Sequence, residues 1–122
     1  MCNPHLNSPS LTVSREVLRD AMLRAGYANS SIGDAELALI ELVVNAWRHG
    51  MTPSPVVTVV YADKILRVTV ADRSPELPQC QDINTQAESG RGLQLVEGLT
   101  HRWGAEPQKL GKRVWFELDC VA

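Results

Sequence analysis

One largely apolar segment carries two polar side chains at helical spacing, and this combination most constrains the fold. The segment runs over residues 34–47, and Glu41 and Asn45 lie four positions apart within it. A helix places residues i and i+4 on the same face. Burying an acid or an amide without a partner costs about 1–3 kcal/mol. The sequence therefore predicts either a bound ligand here, such as magnesium with its waters, or a neighbouring loop that caps Glu41.

The pattern on both sides of this pair predicts two helices near the start of the chain. Apolar residues at helical spacing predict the first helix over residues 14–25, which ends at Gly26. Ser31 and Asp34 resemble a capping box that opens the second helix, and Gly50 ends it. Residues 1–10 are interpreted as a loose arm or a short leading strand.

The rest of the chain predicts four strands, a short helix and one long loop. The strands are expected at 56–62, 66–71, 102–106 and 112–118, with turns at Asp63-Lys64 and at 107–111. The helix is expected over 92–100, after a polar, proline-containing loop at 73–89 that is typical of a functional lid or of a disordered segment. This order does not alternate strand and helix. It predicts a single α+β domain over residues 1–122: a two-layer sandwich with a mixed, mostly antiparallel sheet and helices on one face.

Composition excludes several classes of function. The net charge of −2 provides no basic field for nucleic acid, and no apolar run approaches the roughly 20 residues of a membrane span. The three cysteines are far apart and form no Cys-x-x-Cys motif, which predicts free thiols in the cytoplasm. We therefore expect a cytoplasmic protein that contacts neither nucleic acid nor membrane.

Two further stretches have the chemistry of a nucleotide site. Asp72 leaves a strand and enters the long loop, where its carboxylate can accept a hydrogen bond from an exocyclic amine; a turn aspartate bonded to its own backbone is the other reading. Gly90-Arg91-Gly92-Leu93 opens a helix, and helix N-termini with glycines suit phosphate; an ordinary loop end is the other reading.

Together these stretches resemble the three ATP-site motifs of the GHKL ATPase superfamily, which shares the Bergerat fold. They are Glu41-Leu-Val-Val-Asn45-Ala-Trp-Arg-His49-Gly50, Val70-Ala-Asp72 and Gly90-Arg-Gly-Leu-Gln-Leu-Val96. Within the superfamily, the chain is most similar to the small bacterial anti-sigma-factor serine kinases. The resemblance extends over about residues 11–118.

The resemblance implies a role for each matching residue. Glu41 would be the general base, and Asn45 would bind magnesium through its amide oxygen. Asp72 would bind the adenine amine of ATP. His49 and Gly50 would line the pocket, and the phosphates would be bound by Gly90, Arg91, Gly92 and Leu93. The implied partners are a sigma factor and a STAS-domain anti-anti-sigma protein that carries the substrate serine. A homodimer is a further assembly that the family implies.

Three positions depart from the family pattern and favour a second hypothesis. The loop after Asp72 lacks the glycines of the motif, Arg113 stands where some members have a threonine that supports the adenine contact, and Glu88 replaces an arginine of some kinases. An acid close to the γ-phosphate would repel it. The alternative is a non-catalytic module that sequesters a partner and binds nucleotide weakly or not at all. A histidine-kinase catalytic domain acting in trans is a third reading, without further support in the chain.

Overall fold

The structure is a computed structural model that describes residues 9–49, 55–72, 94–108 and 111–120. It contains two long helices followed by four strands: α1 (Pro9–Ala25), α2 (Asn29–His49), β1 (Val56–Ala62), β2 (Ile65–Asp72), β3 (Arg102–Gln108) and β4 (Gly111–Asp119). Residues 94–99 form a short additional helix. The predicted α+β class is confirmed.

Helix α1 begins earlier than its apolar pattern predicts. It starts at Pro9 rather than at position 14, so residues 9–11 are helical and do not form an arm or a leading strand. Leu11 is 3% exposed, which explains the difference, because a helix is needed there to bring this side chain into the core. Proline suits the first turn of a helix, where its missing N–H would have no partner. Residues 1–8 lie outside the described part.

The C-terminal end of α1 lies where the sequence predicts it. The Tyr27 N–H donates to the Met22 carbonyl at 3.0 Å and the Gly26 N–H donates to the Leu23 carbonyl at 3.2 Å. Gly26 has a φ of 91°, a left-handed conformation that glycine adopts readily. These bonds form a Schellman motif, which satisfies the last carbonyls of the helix.

Helix α2 starts two residues before the predicted capping box. The helix begins at Asn29, and the Ile32 N–H already donates to the Ala28 carbonyl at 3.1 Å. Ser31 therefore lies within the first turn and is not the cap. The predicted start was wrong. Ser31 and Asp34 have the spacing of a capping box, but the first helical hydrogen bond is accepted by the Ala28 carbonyl, three residues earlier.

The four strands form one antiparallel sheet in the order β1-β2-β4-β3. Every described pairing is antiparallel, so the sheet is not mixed within the described residues. The β1–β2 turn is Asp63-Lys64, as predicted, with φ values of 54° and 63°. Positive φ at both positions is typical of the tight hairpin turns whose twist matches the strands.

The helices cover one face of this sheet and enclose the core. Along β2, side chains alternate between buried and half-buried positions, as expected for a sheet with one covered face. Helix α1 packs on β1, whereas α2 packs on β2 and β4. The fully buried large side chains come from both layers: Leu18, Met22, Ile32, Leu39, Leu42, Leu66, Val68, Val70, Val96 and Phe116. This covered side is called the inner face below, and the opposite side is the outer face.

A tryptophan on the outer face requires glycine on the neighbouring strand. Gly104 pairs with Trp115 in the β3–β4 register. A Cβ atom added at Gly104 would lie 2.7 Å from Trp115 Cζ2 and 2.9 Å from its Cε2. The Arg67 guanidinium carbon lies 4.2 Å from the centre of the indole ring, in a cation–π contact. The ring is therefore confined by both neighbouring strands.

We expect Gly104→Ala to lower the free energy of unfolding by about 1–3 kcal/mol, because the added methyl group overpacks against the indole ring. Urea unfolding followed by circular dichroism measures this change. Gly33→Ala is the matched control, since a Cβ there meets nothing within 4 Å and the position is helical. The control should raise stability by up to about 1 kcal/mol. Equal midpoints for Gly104→Ala and wild type would contradict the described packing.

Candidate functional site

Helix α2 presents Glu41 and Asn45 at the border of its buried face. Leu42, Val43 and Ala46 are 1%, 2% and 4% exposed and face the core. Glu41 and Asn45 are half-buried. Among the described residues, neither side chain has a hydrogen-bond or ion-pair partner. Two adjacent polar groups are thus half-desolvated and available to a ligand.

Asp72 lies on the inner face at the end of β2, where the alternation of the strand buries it. The residue is 7% exposed. Its antiparallel partner on β4 is Lys112, which is 6% exposed. The Lys112 Nζ lies 3.5 Å from the Asp72 Oδ2, and the two side chains are 7% and 3% exposed. The predicted base-binding acid is therefore one member of a buried ion pair.

Lys112 lies beside a predicted site residue, Asp72, but is not among the residues expected from the sequence. The residue of the last strand expected to affect the adenine contact was Arg113, but it does not lie on the face that carries Asp72. Arg113 pairs with Ala71, is exposed on the outer face, and has its guanidinium 3.5 Å from the Glu106 carboxylate. The signal was the period of two along β4: with Phe116 and Leu118 buried, the even-numbered position 112 also points inward.

Several predicted site residues lie at or beyond the limits of the described structure. His49 is the last residue of α2, and its side chain is not described. Gly50, Gly90, Arg91, Gly92 and Leu93 lie outside the described residues, as do positions 73–89 of the predicted lid. The short helix at 94–99 follows the glycine segment, and Val96 anchors it in the core with 0% exposure. The roles of the glycine segment remain predictions.

A surface cavity on the two helices is separate from these residues. Its volume is about 320 Å³, and it is lined by Thr12, Arg15, Glu16, Arg19 and Glu36. The Arg19 guanidinium donates to the Glu36 carboxylate at 3.1 Å, which ties α1 to α2. None of the predicted nucleotide-site residues lines this cavity.

Two of the described residues have side chains that suit a magnesium nucleotide, one for the metal ion and one for the nucleobase. No group of three or more His, Cys, Asp or Glu residues within the described chain could hold a metal ion. Magnesium does not require one, since it is commonly bound by one or two protein oxygens together with substrate phosphates. The amide oxygen of Asn45 suits such a site, and the carboxylate of Asp72 suits an amine of a base. No described helix is both long and apolar enough to span a membrane.

The comparisons with known proteins bear on the family and the fold. The profile of the histidine kinase-like ATPase domain matches residues 7–118. A search of curated proteins found no match. A solved structure with a similar fold contains the RsbU and RsbW domains of Rv1364c from Mycobacterium tuberculosis, with a TM-score of 0.68 and 22% identity. The alignment covers 94% of this chain and 30% of that one, so the chain spans under a third of the length of the chain it matches.

We expect removal of either member of the Asp72–Lys112 pair to destabilise the protein. Asp72→Leu or Lys112→Met leaves one buried charge without its counterion, which typically costs about 3–5 kcal/mol. The double variant should recover most of this loss, because apolar residues of similar volume replace both charges. Chemical unfolding of the three variants measures the coupling.

The exposed Arg113–Glu106 pair provides the control for this cycle. Glu106→Ala should cost less than about 1 kcal/mol, since exposed ion pairs contribute little. If Lys112→Met lowered the free energy of unfolding as little as Glu106→Ala, the Asp72–Lys112 pair would not be buried as described.

Proposed function

The chain belongs to the histidine kinase-like ATPase domain family, and we propose that it is an ATP-binding, anti-sigma-factor-type regulator. In this proposal it is a cytoplasmic protein serine kinase. Its substrate is a serine of a STAS-domain anti-anti-sigma protein, and its second partner is a sigma factor that it sequesters. The control of transcription by this pathway follows from those two interactions.

One observation carries the proposal: Glu41 and Asn45 lie side by side, half-buried, with no partner among the described residues. Such groups lose part of their hydration on folding, and an internal hydrogen bond would normally compensate. In a family of ATPase domains, the corresponding compensation comes from the bound substrate and its metal ion. The loop that would cap Glu41, the other reading of the sequence, is not found within the described residues.

The proposed transfer requires little covalent chemistry from the protein. As the serine oxygen forms a bond to the γ-phosphorus, its proton passes to the Glu41 carboxylate, the bond to the bridging oxygen breaks, and ADP leaves. Asn45 would hold magnesium through its amide oxygen, and such an ion would supply neutralisation of the phosphate charge. Asp72 accepts a hydrogen bond from the base. The remaining roles fall to His49 and Gly50 beside the nucleotide and to residues 90–93 at the phosphates.

We expect Asp72→Asn to weaken ATP binding by about 1–3 kcal/mol, because the amide replaces a strong acceptor at a buried position. Calorimetric titration of the variant with ATP and magnesium measures the change. Arg113→Gln is the control: it removes a charge one residue from Lys112 on the outer face and should leave affinity unchanged. An unaltered dissociation constant for Asp72→Asn would remove Asp72 from the base pocket.

We expect Glu41→Gln and Asn45→Ala to separate chemistry from binding. Glutamine keeps the shape of Glu41 but cannot accept the serine proton, so nucleotide affinity should persist while transfer falls about 10²–10⁴-fold. Asn45→Ala should instead lose the magnesium-dependent part of the affinity. Radiolabelled phosphate transfer from ATP to a purified STAS-domain partner measures the first effect, and calorimetry with and without magnesium measures the second. Full transfer by Glu41→Gln would contradict the general-base role.

The second candidate function is a partner-binding module without catalysis. In this reading, the ion pair with Lys112 occupies the Asp72 carboxylate, which the resemblance assigns to the adenine amine. The missing glycines after Asp72 and the acid at Glu88 favour the same reading. Absence of transfer by the wild type to a cognate partner that it binds would establish this function instead.

A further inference from the structure

The buried Asp72–Lys112 pair has a consequence for which bases the site accepts. We propose that Lys112 is a second base-contacting residue, and that the pair lets the site bind purine nucleotides with either a 6-amino or a 6-oxo group. The proposal rests on the proposed function, since it concerns the base pocket of the same nucleotide site. It assigns a role in specificity to a residue of β4 that the family motifs leave out.

Lys112 has hydrogen-bonding capacity that Asp72 does not use. An ammonium group has three donors. Among the described residues, its ion-pair partner is Asp72, and the 3.5 Å separation exceeds the roughly 2.7–2.9 Å of a strong charge-assisted hydrogen bond. The side chain is only 7% exposed, so water can reach it little. Buried donors normally find acceptors, and a bound ligand can supply one here.

An acid alone and an acid beside a lysine recognise different edges of a purine. A carboxylate only accepts, so by itself it can bind an amine or a ring N–H, but it offers no donor to a keto oxygen or to an unprotonated ring nitrogen. With Lys112 beside it, a 6-amino purine can donate its amine to Asp72 and accept from Lys112 at the adjacent ring nitrogen. A 6-oxo purine can do the reverse: its ring N–H donates to Asp72, and its O6 accepts from Lys112. The pair therefore offers one donor and one acceptor to either edge.

Arg113 is a comparison for Lys112, because it has the same charge but lies on the opposite face of the sheet. It is the next residue of β4 and carries the same charge, but it is exposed on the outer face beside Glu106. An arginine there cannot reach the inner face where Asp72 lies. Arg113→Met is therefore a matched control for Lys112→Met, with the same loss of charge and a nearly identical position in sequence.

The test is calorimetric titration of the full chain with ATP and with inosine triphosphate, both with magnesium. In the wild type, the two dissociation constants should agree within about tenfold. Lys112→Met should weaken inosine triphosphate binding about tenfold to a hundredfold more than ATP binding, the usual discrimination from one well-placed hydrogen-bond pair. Lys112→Arg should keep the wild-type ratio because it keeps a donor, and Arg113→Met should change neither constant.

Each other outcome overturns the proposal in a distinguishable way. If the wild type binds ATP but rejects inosine triphosphate, the inference fails while the proposed ATP site stands. Equal weakening of both nucleotides by Lys112→Met would assign Lys112 a purely structural role. If the wild type binds neither nucleotide, the proposed function fails together with the inference. Circular dichroism checks the fold of each variant. If Lys112→Met does not fold, two results decide: the wild-type ratio of the dissociation constants for ATP and inosine triphosphate, and the same ratio for Lys112→Gln, which keeps a donor without the charge.

Discussion

The packing of α2 on the inner face of the sheet is the contact on which the rest of the structure depends. Leu39 and Leu42 from the helix and Val68 and Phe116 from the sheet are all 0–1% exposed. Burial of each such side chain stabilises the fold by about 1.5–3 kcal/mol. Because these residues fix the rotation of the helix, they also fix Glu41, whose neighbour Leu42 must point into the core. The polar pair at the border of the interface is thus positioned by apolar contacts.

The same alternation that builds the core also buries an ion pair at its end. On β2, Val68 and Val70 are followed two residues later by Asp72, so a strand that continues its period must carry the acid inward. On β4, the period of Phe116 brings Lys112 to the same face. Two apolar residues would fill this volume with less desolvation of charge. The pair is therefore not explained by stability alone, which is consistent with the proposed role of Asp72 in binding the base.

Much of the fold could be predicted from the sequence because its signals are local. The hairpin of β1 and β2 follows from β-branched residues, period-two alternation and a two-residue turn, and all of these act within a few positions. The start of α2 could not be predicted in the same way, because the Ser31 motif fits a cap as well as an inner turn. The extra turns of α1 depend on the burial of Leu11, which is a tertiary effect that no local pattern encodes.

The candidate site was predictable to the extent that single motifs place its residues. Glu41 and Asn45 share a face by helix geometry alone, and Asp72 marks the end of a strand. The partner of Asp72 required the register between β2 and β4, which motif comparison does not give. Motif comparison pointed to Arg113. The alternation of side chains along β4 instead places Lys112 on the inner face with Asp72.

The two functional groups of the site are carried by different elements, and this separates the two candidate functions. Glu41 and Asn45 belong to α2, whereas the Asp72–Lys112 pair belongs to β2 and β4. In the proposed site, a substitution in the nucleobase pocket would alter nucleotide affinity and selectivity without moving Glu41. Loss of the Glu41 carboxylate would leave nucleotide recognition in place. A half-buried carboxylate such as Glu41 contributes nothing to the core and finds no partner among the described residues. Its position therefore suits the proposed general base on α2, while the buried Lys112 lies with Asp72 on the inner face of the sheet.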